Sequence, residues 1–213
     1  MFARVSFLVA VGGLMSASPL LAHPHVFVDA QTGFTFNAEG ELEALRITWT
    51  YDAFTSLTLF DILDLDKDND GQLDEADRAA IVAGETEWAE GYKGDTYLEQ
   101  NGEAVALTRP KNGMASYSDD RITVSFDLPL ATPLDTMNGA VLKLYDPNYY
   151  YAYTVVAMYG DLPSFCTADI KSFRADEATS ELQAQLALLS REETPAQEDV
   201  GRLFADEVAL TCG

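Results

Sequence analysis

The segment Asp66-Lys67-Asp68-Asn69-Asp70-Gly71-Gln72-Leu73-Asp74-Glu75-Ala76-Asp77 carries the densest run of ligand chemistry in the chain. A calcium ion takes about six to eight hard oxygens at flexible distances. Asp66, Asp68 and Asp70 supply carboxylates from alternate positions, and Gly71 allows the sharp turn that brings later ligands round. Gln72 would give its backbone carbonyl, Leu73 stands where an EF-hand packs an apolar residue inward, and Asp74 would ligate directly or through water. The spacing predicts an EF-hand calcium loop. Asp77, in the twelfth position, replaces the commoner bidentate glutamate with a side chain one methylene shorter, which leaves calcium-over-magnesium preference open. The competing reading is a solvated acidic turn that caps a helix. A single loop, without a paired second hand, reads as a structural staple rather than a sensor.

His23 and His25 are the two histidines of the chain. Cleavage after Ala22 would make His23 the first residue, so that its free amine and imidazole could chelate one metal together. A strand beginning here puts His25 and Asp29 on one face, with Phe27 between them. Two imidazoles, an amine and a carboxylate suit zinc, nickel, cobalt or copper(II). The amino-terminal copper chelate with histidine third is blocked because Pro24 has no amide proton. A brace of the amine and both imidazoles stays open. The plainer alternative is a pair of polar residues at a strand start.

The formal net charge of -22 excludes a nucleic-acid binder, which needs basic side chains to displace phosphate counterions. Anionic membrane surfaces are poor partners for the same reason, whereas cations and basic protein segments suit it. Arg4, the apolar run from Val5 to Leu14, and Leu20-Leu21-Ala22 read as a cleaved signal peptide over 1–22. That predicts a periplasmic protein with no stable membrane insertion after cleavage. The competing reading is a retained anchor. In an oxidising compartment Cys166 and Cys212 pair as a disulfide. No Gly-x-Ser-x-Gly, His-Glu-x-x-His or phosphate-loop pattern occurs, so no enzyme is expected.

The elements that must position these residues follow from periodicity. Alternation predicts strands from His25 to Phe36, Glu41 to Tyr51, Thr96 to Gln100, Val105 to Thr108, Arg121 to Leu128, Ala140 to Tyr145 and Tyr149 to Met158. Helical spacing predicts Ala53 to Leu65, Glu75 to Glu90 and Ala175 to Leu189, with Val200 to Cys212 as a short helix or strand. The fold class is α+β. A mainly antiparallel β domain, 23–213, carries an inserted EF-hand-like helix–loop–helix at about 53–92 and a helical C-terminal region. Tyr149, Tyr151 and Tyr153 share one face of their strand. They read as a half-buried aromatic ladder, or else as a partner surface.

Ala22-His23-Pro24-His25-Val26-Phe27-Val28-Asp29, Thr48-Trp49-Thr50-Tyr51-Asp52, the Asp-rich loop, Leu144-Tyr145-Asp146-Pro147, Cys166 and Leu210-Thr211-Cys212 together resemble the bacterial periplasmic family called domain of unknown function 1007. The resemblance runs through essentially the whole mature chain. Members are often described as the periplasmic component of an uncharacterised ABC-type transport system, and some look associated with nickel/cobalt-type exporters. The resemblance implies envelope metal handling with an inner-membrane metal transporter or exporter as partner. The expectation is a periplasmic metal-binding accessory or solute-binding protein for transition-metal transport, stabilised by one calcium ion. The alternative is a calcium-stiffened envelope interaction module with no transition-metal role.

Overall fold

The computed structural model describes residues 23–190 and 192–213; the expected signal segment, 1–22, lies outside the described residues. Alternating apolar residues build the first hairpin. In β1 (Val26–Phe36), Val26, Val28 and Ala30 point into the core while Phe27 and Asp29 point out. The Asn37 side-chain oxygen accepts the backbone N–H groups of Glu39 and Glu41, and Gly40 takes a positive φ. The chain thereby reverses into β2 (Leu42–Tyr51), antiparallel to β1.

Two five-stranded sheets follow. The second contains β3 (Thr96–Gln100) and β4 (Glu103–Val105), and the first adds β5 (Lys111–Ser118) and β6 (Arg121–Leu134). The rest are β7 (Ala140–Leu144), β8 (Tyr151–Met158), β9 (Cys166–Lys171) and β10 (Glu207–Cys212). The orders are β5-β6-β2-β1-β8 and β4-β3-β7-β10-β9. All pairings are antiparallel except β1 with β8, which is parallel. Ile47, Ile122 and Phe126 of the first sheet and Leu98, Leu142 and Val208 of the second belong to one continuous buried core, so the sheets face each other across it. Buried Asp206 accepts the N–H groups of Val155 at 2.8 Å and Phe173 at 2.7 Å, tying β8 to the segment after β9.

Among the described residues three α-helices complete the α+β class: α1 (Ala53–Ile62), α2 (Glu75–Thr86) and α3 (Glu177–Leu186). Asp52 caps α1 by accepting from the Thr55 N–H, and its other oxygen accepts from the Phe27 N–H, so one carboxylate joins the helix to β1. The buried Ser56 hydroxyl accepts the Ile122 N–H and anchors α1 on β6. Over β5, α2 comes so close that a Cβ at Gly113 would meet a Val82 methyl at 2.5 Å.

The structure departs from the periodicity in specific places. β5 has no counterpart in the hydrophobic pattern, because Lys111 to Ser118 carries few large apolar residues and none of its residues is fully buried. Strand β8 begins at Tyr151 rather than Tyr149, since Tyr149 has a positive φ in the preceding turn. The C-terminal region is only partly helical: after α3 come a short 3-10 helix (Val200–Phe204) and then β10, which lies inside the second sheet between β7 and β9.

Cys166 and Cys212 are partners in the β9–β10 register and form a disulfide. It fastens the last strand to an edge strand and closes a sequence separation of 46 residues. A Cys166→Ser/Cys212→Ser variant is expected to lose about 2–4 kcal/mol of stability, read as a lower urea midpoint with an otherwise two-state transition.

Candidate metal sites and the turn that positions them

The N-terminal site is built from a turn distant in sequence. After β7, the Asp146 carboxylate accepts the backbone N–H groups of Asn148 at 3.1 Å, Tyr150 at 2.7 Å and Tyr151 at 3.3 Å. These are bonds to an ionisable acceptor, the stronger class. Gly201 closes the turn from outside. Its N–H donates to the Pro147 carbonyl, and a Cβ there would lie 1.9 Å from the Asp146 carbonyl oxygen, so a side chain cannot fit. The turn fixes Tyr150, whose carbonyl accepts the N–H groups of His25 at 2.9 Å and Val26 at 3.2 Å. The Tyr150 ring lies 4.5 Å from the His25 ring and 6.0 Å from the His23 ring, centroid to centroid.

His23 is only 5% exposed. Its Nδ1 is buried and meets no hydrogen-bond partner among the described residues, and His25 Nε2 is also shut off from solvent. A buried ring nitrogen without a partner carries a desolvation cost that a bound cation would relieve. The two imidazole centroids lie 4.9 Å apart. A metal–nitrogen bond of about 2.1 Å puts each ring centroid roughly 3.2 Å from the ion, so two imidazoles on one near-tetrahedral ion have centroids about 5 Å apart. The pair therefore has a spacing that suits shared coordination.

Asp29 does not join them. It shares the outward face of β1 with His25, as the alternation predicts, but four strand residues span about 13 Å. Its carboxylate instead pairs with Arg121 at 2.7 Å. Asp146 likewise spends its oxygens on the turn. Of the three tyrosines, Tyr149 packs on Phe204, Tyr149 and Tyr153 are buried, and Tyr151 is half-buried, in keeping with the packing reading.

In the acidic loop, Asp66, Asp68 and Asp70 each offer an oxygen, and these lie within 4.8 Å of one another. Oxygens on one calcium ion, at bonds of about 2.4 Å, are at most about 4.8 Å apart. Asp66 also accepts the N–H groups of Asp70 and Gly71, and Asp70 accepts that of Gln72. Gly71 has φ +77, the left-handed turn that the sixth position needs. Leu73 is buried in the core. Asp74 and Asp77 form a reciprocal capping box at the start of α2, with bonds of 2.8 and 3.1 Å. So the loop is both an acidic cluster and a helix cap, and Asp74 and Asp77 already serve the helix.

A third group of residues gave no signal in sequence. Buried Asp95 accepts the Tyr153 hydroxyl at 2.8 Å, and Glu85, in the last turn of α2, accepts that of Tyr51 at 2.6 Å. Burial pushes Asp95 up to about 7 and also raises Glu85. Both are isolated acids in a chain with 35 of them, so nothing in their spacing marks them.

The fold and these sites define a disulfide-fastened, two-sheet α+β domain with a histidine pair at one end and an acidic helix–loop–helix inserted after the first hairpin. The model of the family described as "Protein of unknown function (DUF1007)" matches residues 8–212, and the chain belongs to that family. An "Uncharacterized protein" of Haemophilus influenzae is 27% identical over 208 residues, covering 94% of this chain and 96% of the relative.

Two outcomes follow from this geometry. Asp146→Ala strips a turn of its acceptor and should cost about 1–3 kcal/mol, with Asp146→Asn milder, as urea midpoints will report. For Asp95, the fold favours the neutral form, so folded Asp95 keeps a proton that the unfolded chain releases near the ordinary value of 3.8. Its contribution is therefore greatest below that value and falls as pH rises toward 7. Asp95→Asn should flatten this part of the stability profile between pH 4 and 7 relative to the unsubstituted protein.

Proposed function

We propose that this protein is a periplasmic metal-binding accessory protein that captures or delivers a transition metal of the zinc, nickel, cobalt or copper class through His23 and His25. The observation that carries the reading is the buried, unpartnered Nδ1 of His23 beside an imidazole at 4.9 Å. If processing follows Ala22, the His23 amine completes a three-nitrogen donor set, and nitrogen ligands suit these metals. The partner in this reading is an inner-membrane metal transporter or exporter, a role suggested by the family resemblance. The work is binding and hand-over rather than catalysis.

Calcium has the supporting part. In this reading the loop from Asp66 to Asp77 is an EF-hand-like site whose ion stiffens the connection between α1 and α2. It is supported by the three converging carboxylates, the Gly71 turn and the inward Leu73. With Asp74 and Asp77 engaged in the helix cap, the ion would draw chiefly on the first three acids and gain less from the twelfth position.

The test is elemental analysis of protein purified from a periplasm, combined with mass measurement of its mature terminus and calorimetry. About one transition-metal ion per chain should bind, and the binding should be lost in His25→Ala and in a variant with residues added before His23. Binding that survives both changes, or no binding at all, contradicts the transition-metal reading. Independently, calcium added to chelator-treated protein should raise Tm, and Asp68→Asn/Asp70→Asn should abolish that rise. A Tm indifferent to millimolar calcium contradicts the staple.

A further inference from the structure

The outward half of α1 is apolar where solvent-facing helices are usually polar. With about 3.6 residues per turn, Ala53, Phe54, Leu57, Asp61 and Ile62 share the side away from the body, and one charge interrupts it. Phe54, Leu57 and Ile62 are 76%, 69% and 69% exposed. The opposite side, with Ser56, Leu59, Phe60 and Leu63, packs on the domain. Large apolar side chains grouped on a surface otherwise rich in acids mark an interaction site rather than chance exposure.

The charge around the patch selects the occupant. Asp61 lies in the last turn of α1, which has no basic residue, and Asp64 follows; Asp66, Asp68 and Asp70 come next, and one bound calcium ion would reduce their negative charge without cancelling it. Lys67 is the one cation in that stretch and is already paired with Asp64 at 3.0 Å. A helix C-terminus carries the negative end of the backbone dipole, so an aspartate there is unfavourable until a cation arrives. A second copy of the chain would bring a net charge of -22 against the same charge. Anionic lipid is repelled in the same way.

We infer that the exposed face of α1 is a docking surface for a basic amphipathic segment of another protein, an apolar stripe flanked by Lys or Arg. Its apolar stripe covers Phe54, Leu57 and Ile62, and its cations meet the acidic rim, the arrangement of a helix laid on an apolar face. The surface lies on the outward side of β1's neighbour helix and requires no ion at His23 or His25, so it stands apart from the metal reading.

The experiment uses protein purified from a bacterial envelope extract, held in calcium so that the loop charge is constant. It is titrated with a fluorescein-labelled synthetic helix of about 18 residues, roughly five turns, with leucine on one face and lysine on the other. One-to-one binding that weakens with added salt is expected. Affinity should fall about tenfold or more in Phe54→Ser/Leu57→Ser and in Asp61→Lys. All three positions are solvent-facing, and an unchanged Tm verifies that these variants fold. A helix with glutamate in place of lysine should not bind. Equal binding by the variants, or no binding of the lysine helix, overturns the proposal. So does binding to phosphatidylethanolamine–phosphatidylglycerol vesicles that depends on Phe54 and Leu57 in place of peptide binding, which would assign the face to a membrane. A concentration-dependent dimer abolished by the same double substitution would assign it to a second copy and overturn the proposal equally.

Discussion

The Asp146 carboxylate holds three backbone N–H groups in one turn, and the N-terminal site hangs on that turn. Once residues 148 to 151 are folded around it, the Tyr150 carbonyl is placed to accept His25 and Val26, which starts the parallel pairing of β1 with β8. The same residue sets its ring against both histidines. Gly201 is the other half of the constraint, because only a residue without a side chain lets the C-terminal 3-10 helix close over the turn. The Tyr-Asp-Pro element and the His-Pro-His element, far apart in sequence, are thus one physical unit.

The two ends of α1 show a similar economy. Asp52 caps the helix with one oxygen and holds Phe27 with the other, so the strand that follows the histidines and the helix that carries the exposed apolar face share a carboxylate. Beyond α1, the acidic loop leads into a capping box that starts α2, whose last turn carries Glu85 to Tyr51. Local hydrogen bonds of acidic side chains recur through this part of the molecule. That fits a chain with few cations to spare.

Much of this was legible in the residues themselves. The first hairpin, the helix–loop–helix positions, the inward Leu73 and the cysteine pairing follow from period, turn chemistry and redox logic, because each depends on near neighbours or on a pair with no competitor. What failed depended on distance. Asp29 was placed on the correct face, but its partner Arg121 lies on β6, and its 13 Å or so from His25 becomes decisive only once the strand is known to be straight and paired. Tyr149 alternates with Tyr151 and Tyr153 and so reads as strand, but the turn around Asp146 gives it a positive φ. β5 escaped notice because it is an edge strand with few large apolar residues, and Asp95 because burial, not sequence, makes it unusual. The family membership covers nearly the whole chain yet adds no chemistry, so the sites rest on geometry.

The central claim is that two imidazoles, held by the Tyr150 turn, share one ion. X-ray absorption at the zinc edge of the processed, zinc-loaded protein addresses it directly. The account predicts a nitrogen first shell at about 2.0–2.1 Å with outer-shell scattering from two imidazoles, and loss of this bound-zinc signal in His25→Ala. An oxygen-only shell, or a spectrum unchanged by His25→Ala, would contradict it.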